Sequence, residues 1–140
     1  MTNNNLDNLF KTGQLKSEPF EKSEAMRMLQ TAHRRLIDSG VAEMSLEGQF
    51  TSAYNAAHAA ALAALRWHGY RSENEVITFH CLGETLCWPR NRYQAFDAAH
   101  QIRNLVEYEG YLEIEKSTVD MLRDLTTSLI KDVELLVNTA

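Results

Sequence analysis

An all-α fold, an up-and-down bundle of four to five antiparallel helices, is predicted by three features of the 140-residue sequence. Only 2 prolines and 6 glycines interrupt the chain, which favours long helices over the many short turns of a β fold. Apolar residues recur at the helical period over long stretches, whereas no alternating pattern lasts for the length of a strand. The composition, 44% hydrophobic and 24% charged, is that of one globular domain, so disorder and a disulfide scaffold are excluded.

The N-terminal part of the chain predicts an arm followed by a helix. Residues 1–16 carry three consecutive asparagines and little periodicity, which predicts a mobile arm. The single domain is then expected to span residues 17–140. Its first helix is expected to have Pro19 in the first turn and to end at Gly40.

A second helix is predicted from Ser45 to a C-terminal cap at Gly69. Its middle, residues 53–64, contains eight alanines. Because alanine favours the helix and adds little bulk, neighbouring helices can approach closely. This helix is therefore expected at the centre of the bundle.

The C-terminal half predicts three more helices. The sequence 72–75, Ser-Glu-Asn-Glu, fits a capping box and opens a short helix that ends by Leu86. A loop at Pro89 leads into a fourth helix, which ends at Gly110. The last helix begins near Ser117 and has the cleanest helical period in the chain.

Charge is distributed unevenly along the chain. The net charge of −5 does not favour binding of nucleic acid by a general basic surface. Residues 58–103, however, sum to +1 and contain four of the five histidines, whereas residues 104–140 sum to −5. The middle segment is therefore the expected place for a phosphate.

Several features predict a cytoplasmic protein that does not enter a membrane. The N-terminus is polar, and no stretch of 18 apolar residues is present. The two cysteines, Cys81 and Cys87, have a spacing typical of neither a zinc knuckle nor a redox motif, and we expect them to be reduced and half-buried.

Motifs for several common chemistries are missing from the sequence. It contains no Gly-rich phosphate loop, no nucleophile elbow, no H-E-x-x-H, and no glutamate followed three residues later by histidine. The scatter of His80, Cys81, Cys87 and His100 matches no zinc spacing. We therefore predict neither a metal nor a cofactor.

The predicted fourth helix carries a polar stripe beside its apolar one. The stripe combines two ionisable groups, an amide and an aromatic hydroxyl on one side, with a flanking ion pair: Asp97, His100, Asn104 and Tyr108, flanked by Arg103 and Glu107. One interpretation is a solvated face, on which Arg103 pairs with Glu107 and Asp97 pairs with Arg92 or His100. The other interpretation is a ligand site that uses the same residues.

The second helix offers a face that could meet this stripe. Tyr54 and His58 lie four residues apart and therefore on the same side. They are either partly buried packing residues or part of the same site, with His58 beside Arg103 as a base.

The sequence resembles the HEPN family over roughly residues 20–137. The resemblance is carried by the run from Phe50 to His58, by the alanine-rich helix that ends in Arg-Trp-His-Gly-Tyr-Arg, and by Arg103-Asn104-x3-Tyr108. It implies a small helical bundle that is commonly a homodimer. It also implies a role in toxin–antitoxin or defence systems, as a ribonuclease or as the partner of a nucleotidyltransferase or an antitoxin.

The ribonuclease motif of that family is an arginine followed, after four to six residues, by histidine. Arg103 and Asn104 match the start of the motif, but the three possible histidine positions hold Tyr108, Glu109 and Gly110. Histidine titrates near neutral pH and suits acid–base work on a ribose, whereas tyrosine titrates near pH 10. Arg103 keeps a geometry that matches phosphate. In some family members a tyrosine beyond the motif is modified with a nucleotide, a role open to Tyr108 or Tyr111.

The leading hypothesis is a HEPN-like protein that binds a nucleotide, an RNA or a partner protein and has a degenerate ribonuclease motif. Its ligand-binding residues are expected to be the following: Arg103, Asn104, Tyr108, Asp97, His58 and Tyr54. A first alternative is an active metal-independent endoribonuclease in which Arg103 works with His100 or His58. A second alternative is a structural module for protein–protein interaction.

Overall fold

The all-α bundle is confirmed by the structure, a computed structural model that describes residues 4–110 and 113–139. None of the helices in these two ranges combines the length and the apolar character that crossing a bilayer requires. The elements in chain order are α1 (Asn4–Lys11), β1 (Lys16–Ser17), α2 (Lys22–Asp38), α3 (Leu46–Trp67), β2 (Tyr70–Arg71), α4 (Glu75–His80), α5 (Leu82–Thr85), α6 (Arg90–Tyr93), α7 (Ala95–Glu109) and α8 (Lys116–Val137).

The alanine-rich helix α3 is the centre of the bundle, as predicted. It packs most extensively against α2 and α8, and it also contacts α4 and α7. Ala57, Ala60 and Ala64 are fully buried, which allows the neighbouring helices to come close. The Ser45 hydroxyl caps α3 by accepting a 3.1 Å hydrogen bond from the Gly48 N–H, and Gly69 follows the helix with φ +88°.

The N-terminal segment differs from the predicted mobile arm. Residues 4–11 form α1, and β1 pairs antiparallel with β2. Leu6 and Leu15 are buried in a small cluster with Leu65 and Cys81. Helix α1 has only 8 residues, so its helical period does not stand out in the sequence. The apolar residues that bury Leu6 lie far away along the chain.

The first long helix begins later than predicted. Helix α2 starts at Lys22, after an N-cap residue, Glu21, with extended backbone angles. Pro19 therefore precedes the helix instead of lying in its first turn. The Glu18 N–H donates a 2.9 Å hydrogen bond to the Gly69 carbonyl, which continues the strand-like pairing up to this point.

The predicted capping box before α4 is wrong in its residues. The cap is Asn74, whose side-chain oxygen accepts a 2.9 Å hydrogen bond from the Ile77 N–H. The Ser72 hydroxyl accepts instead from the Asn74 N–H, at 3.1 Å. Glu75 is consequently not the partner of Ser72 that the pattern suggested, and its carboxylate is used elsewhere.

Aromatic rings join α4 to α3 and α7. Phe79 of α4 is fully buried, stacks on Phe96 of α7 at 4.7 Å between ring centroids, and meets the edge of Tyr54 at 5.6 Å. The loop expected at Pro89 leads into the short helix α6, and α7 ends at Gly110 as predicted, with φ +74°. This packing brings the polar face of α7 against α3 and α4.

Candidate functional site

Part of the polar stripe of α7 meets side chains of α3 and α4. Three of the predicted residues of α7 join the predicted Tyr54 and one residue that sequence reasoning missed, Glu75. We call this group the Arg103 cluster; its members are Tyr54, Glu75, His100, Arg103 and Asn104.

Arg103 is held in the cluster by a carboxylate and an aromatic ring. Its Nη2 donates to both oxygens of Glu75, at 2.9 and 3.1 Å, and its Cζ lies 4.9 Å from the centre of the Tyr54 ring. Its Nη1 makes a longer ion pair, 3.6 Å, with Glu107, and its Nε is buried without a hydrogen-bond partner in the described part of the chain. The side chain is 16% exposed. One edge of the guanidinium is therefore fixed, while Nη1 lies beside a carboxylate that is 60% exposed.

A chain of hydrogen bonds runs from Asn104 to Glu75. The Asn104 Nδ2 donates to His100 Nε2 at 3.2 Å, so the ring proton of His100 is on Nδ1. His100 Nδ1 then donates to the Tyr54 oxygen at 2.8 Å, and the Tyr54 hydroxyl donates to Glu75 Oε1 at 2.5 Å. Both nitrogens of His100 are thus engaged within the protein.

The pKa values of the cluster keep Glu75 charged and Tyr54 neutral. Burial by itself raises the pKa of Glu75, but the hydrogen bonds from Tyr54 and Arg103 outweigh it, and the pKa lies below its usual value. Burial and the adjacent Glu75 carboxylate raise the pKa of Tyr54. Tyr54 therefore serves as a hydrogen-bond relay and not as a base.

His58 lies beside the cluster. Burial lowers the pKa of His58; the charge of Glu75 opposes the shift, and that of Arg103 adds to it. Its ring also packs against Phe79, with 5.8 Å between centroids. His58 is thus a half-buried imidazole that combines packing with electrostatic contact to the cluster.

Asp97 does not join the cluster. Both of its carboxylate oxygens contact Nε2 of His80, at 2.9 and 2.8 Å, which ties α7 to α4. The predicted pairing of Asp97 with Arg92 or His100 is therefore wrong. Arg92 lies instead on the Trp88 ring, with its Cζ 3.8 Å from the centroid, and 3.9 Å from Asp132.

The end of α7 is exposed. Tyr108 is 86% exposed, one turn beyond Asn104, so it borders the cluster without belonging to its hydrogen-bond chain. Tyr111, the other tyrosine considered for modification, lies outside the described residues.

The cysteines and carboxylates do not form a metal site in the described ranges, where no group of three or more potential ligands comes together. Both cysteines are free; Cys87 is exposed and Cys81 is buried. Burial, with a smaller contribution from Glu84, raises the pKa of Cys81 to about 12, which makes its thiol unreactive at neutral pH.

The opposite face of α7 borders an apolar groove of about 640 Å³ between α7 and α8. The groove exists because the alanine side chains of α7 that line it are small, and Phe50 of α3 is another of its lining residues. The groove and the Arg103 cluster are separated by the body of α7.

Comparison with protein-family models and with curated proteins finds no match to this chain. The HEPN resemblance therefore remains a prediction from the motifs of the sequence.

Glu75 offers the first test of the cluster. Glu75→Gln is expected to lower the free energy of unfolding by about 1.5 kcal/mol at pH 7, because hydrogen bonds to a charged group are lost from a partly exposed position. A lowered pKa stabilises the fold above the pKa of the unfolded chain, about 4.3 for glutamate, and this contribution is lost as the pH falls through the folded pKa. Urea unfolding from pH 7 to pH 3 measures the difference in unfolding free energy between the unmodified protein and Glu75→Gln. This difference should stay constant down to about pH 4.5 and shrink below it.

A matched control for this test is Glu73→Gln, since Glu73 is an exposed carboxylate two residues away. We expect a much smaller change in its unfolding free energy at pH 7, because its ion pair with Lys16 is exposed to solvent. Equal effects of the two substitutions would contradict a special role for Glu75.

Proposed function

We propose that this chain is a HEPN-like helical protein that binds a phosphate-bearing ligand, a nucleotide or RNA, at the Arg103 cluster and does not catalyse rapid cleavage. The observation that carries the proposal is the way in which the two terminal nitrogens of Arg103 are paired. Its guanidinium is oriented through Nη2 by Glu75, while Nη1 has only a long contact to an exposed carboxylate. An oriented guanidinium with an amine near the surface suits hydrogen bonding to a phosphate oxygen.

The surroundings of Arg103 support a nucleotide as the ligand. Tyr108 presents an exposed ring on the same helix, and aromatic rings are the usual surface on which bases stack. Replacing Glu107 at Nη1 by a phosphate gives up only a long contact, 3.6 Å, whose carboxylate is exposed. Glu75 continues to hold Nη2 in this arrangement, so the arginine needs no large movement.

An endoribonuclease is the second candidate, because two histidines lie at or beside the cluster. His58, with its lowered pKa, is a neutral imidazole at pH 7 and so able to accept a proton. His100 is the weaker choice of base, since both of its nitrogens already have partners in the protein. The binder is favoured for this reason, and for the absence of the motif histidine from the sequence.

The test is calorimetric titration with 5′-AMP and with a short oligoadenylate, using Arg103→Ala. Loss of a charge-assisted hydrogen bond is expected to weaken binding at least about tenfold. The matched control is Arg34→Ala, which removes an exposed arginine from α2. It should leave the affinity unchanged.

Other outcomes would contradict the proposal. Cleavage of RNA that is insensitive to chelator and abolished by Arg103→Ala would select the ribonuclease. If neither probe binds and Arg103→Ala does not change the stability of the protein, the structural module for protein–protein interaction is the remaining hypothesis. The homodimer and the nucleotidyltransferase or antitoxin partner stay predictions of the resemblance.

A further inference from the structure

The Nη1 group of Arg103 lies beside a negative charge at the end of α7. Glu107 is 3.6 Å from Nη1, and the exposed Glu109 follows two residues later at the last position of α7. No basic residue occupies the last turn of α7, where the helix dipole adds partial negative charge. The ion pairs of Arg103 already place one positive charge beside two carboxylates, Glu75 and Glu107.

In this environment a ligand with a single phosphate and a nucleic-acid strand with many phosphates are expected to bind differently. One phosphate can take the place of Glu107 at Nη1, and the exposed Glu107 side chain can turn into solvent. A strand brings another negative charge with every nucleotide, and its affinity depends on several lysines or arginines that neutralise them together. Beyond Arg103, the chain from residue 104 to residue 140 holds three basic residues against eight acidic ones.

The arginines of α6 do not extend the site into a track. They precede α7, about two helical turns before Arg103, which lies in the middle of that helix. Arg92 is stacked on Trp88 and lies 3.9 Å from Asp132, so its charge is partly balanced. A strand leaving Arg103 toward the end of α7 therefore first meets the exposed carboxylate of Glu107.

We propose that the ligand of the Arg103 cluster is a mononucleotide and not an RNA strand. The inference rests on the proposed function and narrows its ligand class. Arg103 binds one terminal phosphate, and the carboxylates at the end of α7 repel the phosphates that a strand adds.

The test compares 5′-AMP with a 5′-phosphorylated adenosine octamer over a series of salt concentrations, with affinity expressed per nucleotide. We expect the octamer to bind no more than about threefold more tightly than 5′-AMP, with a salt slope no steeper than that of 5′-AMP. The double variant Glu107→Gln/Glu109→Gln should tighten octamer binding about fivefold more than 5′-AMP binding, because two repelling charges are gone.

A matched control keeps the overall charge equal. Glu21→Gln/Glu43→Gln removes two exposed carboxylates from the start of α2 and from the α2–α3 loop, and it should not change the ratio of the two affinities. Octamer binding more than about threefold tighter than 5′-AMP, with a steeper salt slope, would overturn the inference and leave phosphate binding at Arg103 intact. Failure of both probes to bind would instead overturn the proposed function itself.

Discussion

Replacing Phe79 by alanine is expected to lower the free energy of unfolding by about 4 kcal/mol, near the upper end for a large-to-small change in a core. Phe79 is fully buried, and its ring stacks on Phe96 at 4.7 Å and meets Tyr54 and His58 at 5.6 and 5.8 Å. Alanine removes all three ring contacts and leaves a cavity that these rings cannot fill without leaving their rotamers.

The position of Phe79 makes this loss larger than burial alone implies. Helix α4 has six residues, so it is too short to be stable by itself and depends on packing for its position. Its buried residues are Thr78 and Phe79, and its first residue is Glu75. Phe79→Ala is therefore also expected to loosen the Glu75 contacts and to weaken nucleotide binding at Arg103.

Urea unfolding followed by circular dichroism measures the effect, with Val76→Ala as the matched control. Val76 lies on the same helix but is only half-buried, and its truncation should cost about 1 kcal/mol. Phe79→Leu keeps most of the side-chain volume, so its loss of unfolding free energy should lie between those of Phe79→Ala and Val76→Ala. A loss for Phe79→Ala no larger than for Val76→Ala would contradict the central place of this ring.

The long helices could be predicted because their signals are local. The helical period, the Ser45 cap and the glycines at 69 and 110 each depend on a few neighbouring residues, and the structure confirms them. The N-terminal segment could not be predicted in this way. Leu6 is buried by Leu65 and Cys81, which lie some sixty to seventy-five residues later, so its environment exists only after folding.

The candidate site was predicted in part for the same reason. The face of α7 and the facing Tyr54 follow from helical spacing, and His100, Arg103 and Asn104 do lie together. Glu75 was missed because the capping-box pattern already explained a glutamate at that place. Asp97 was predicted to pair with residues close to it in the sequence, whereas the packing of α4 against α7 brings His80 to it instead.

Arg66→Ala is expected to destabilise the fold by about 3 kcal/mol, the low end for breaking a buried ion pair. Arg66 is 2% exposed in the last turn of α3. Its amines lie 2.7 Å from Glu18 and 2.8 Å from Glu24, and Nη2 also donates to the Pro19 carbonyl at 3.4 Å. The side chain thus anchors the entry to α2 against the end of α3.

The cost is set by what remains after the arginine is removed. Glu18 and Glu24 keep some access to water, so their charges are not stranded completely, and this holds the loss near 3 kcal/mol. Arg66→Met keeps the packing of the stem and should recover part of the loss. The difference between the two variants then measures the packing contribution separately from the charge.

Urea unfolding of both variants, with Arg71→Ala as control, tests this account. Arg71 also contacts Glu18, at 3.3 Å, but it is an exposed arginine and its loss should cost less than about 1 kcal/mol. A double-mutant cycle between Arg66→Ala and Glu24→Gln should give a coupling of about 1 to 2 kcal/mol. Additive effects in that cycle, or equal losses for Arg66→Ala and Arg71→Ala, would show that burial of the Arg66 pair does not hold α2 on α3.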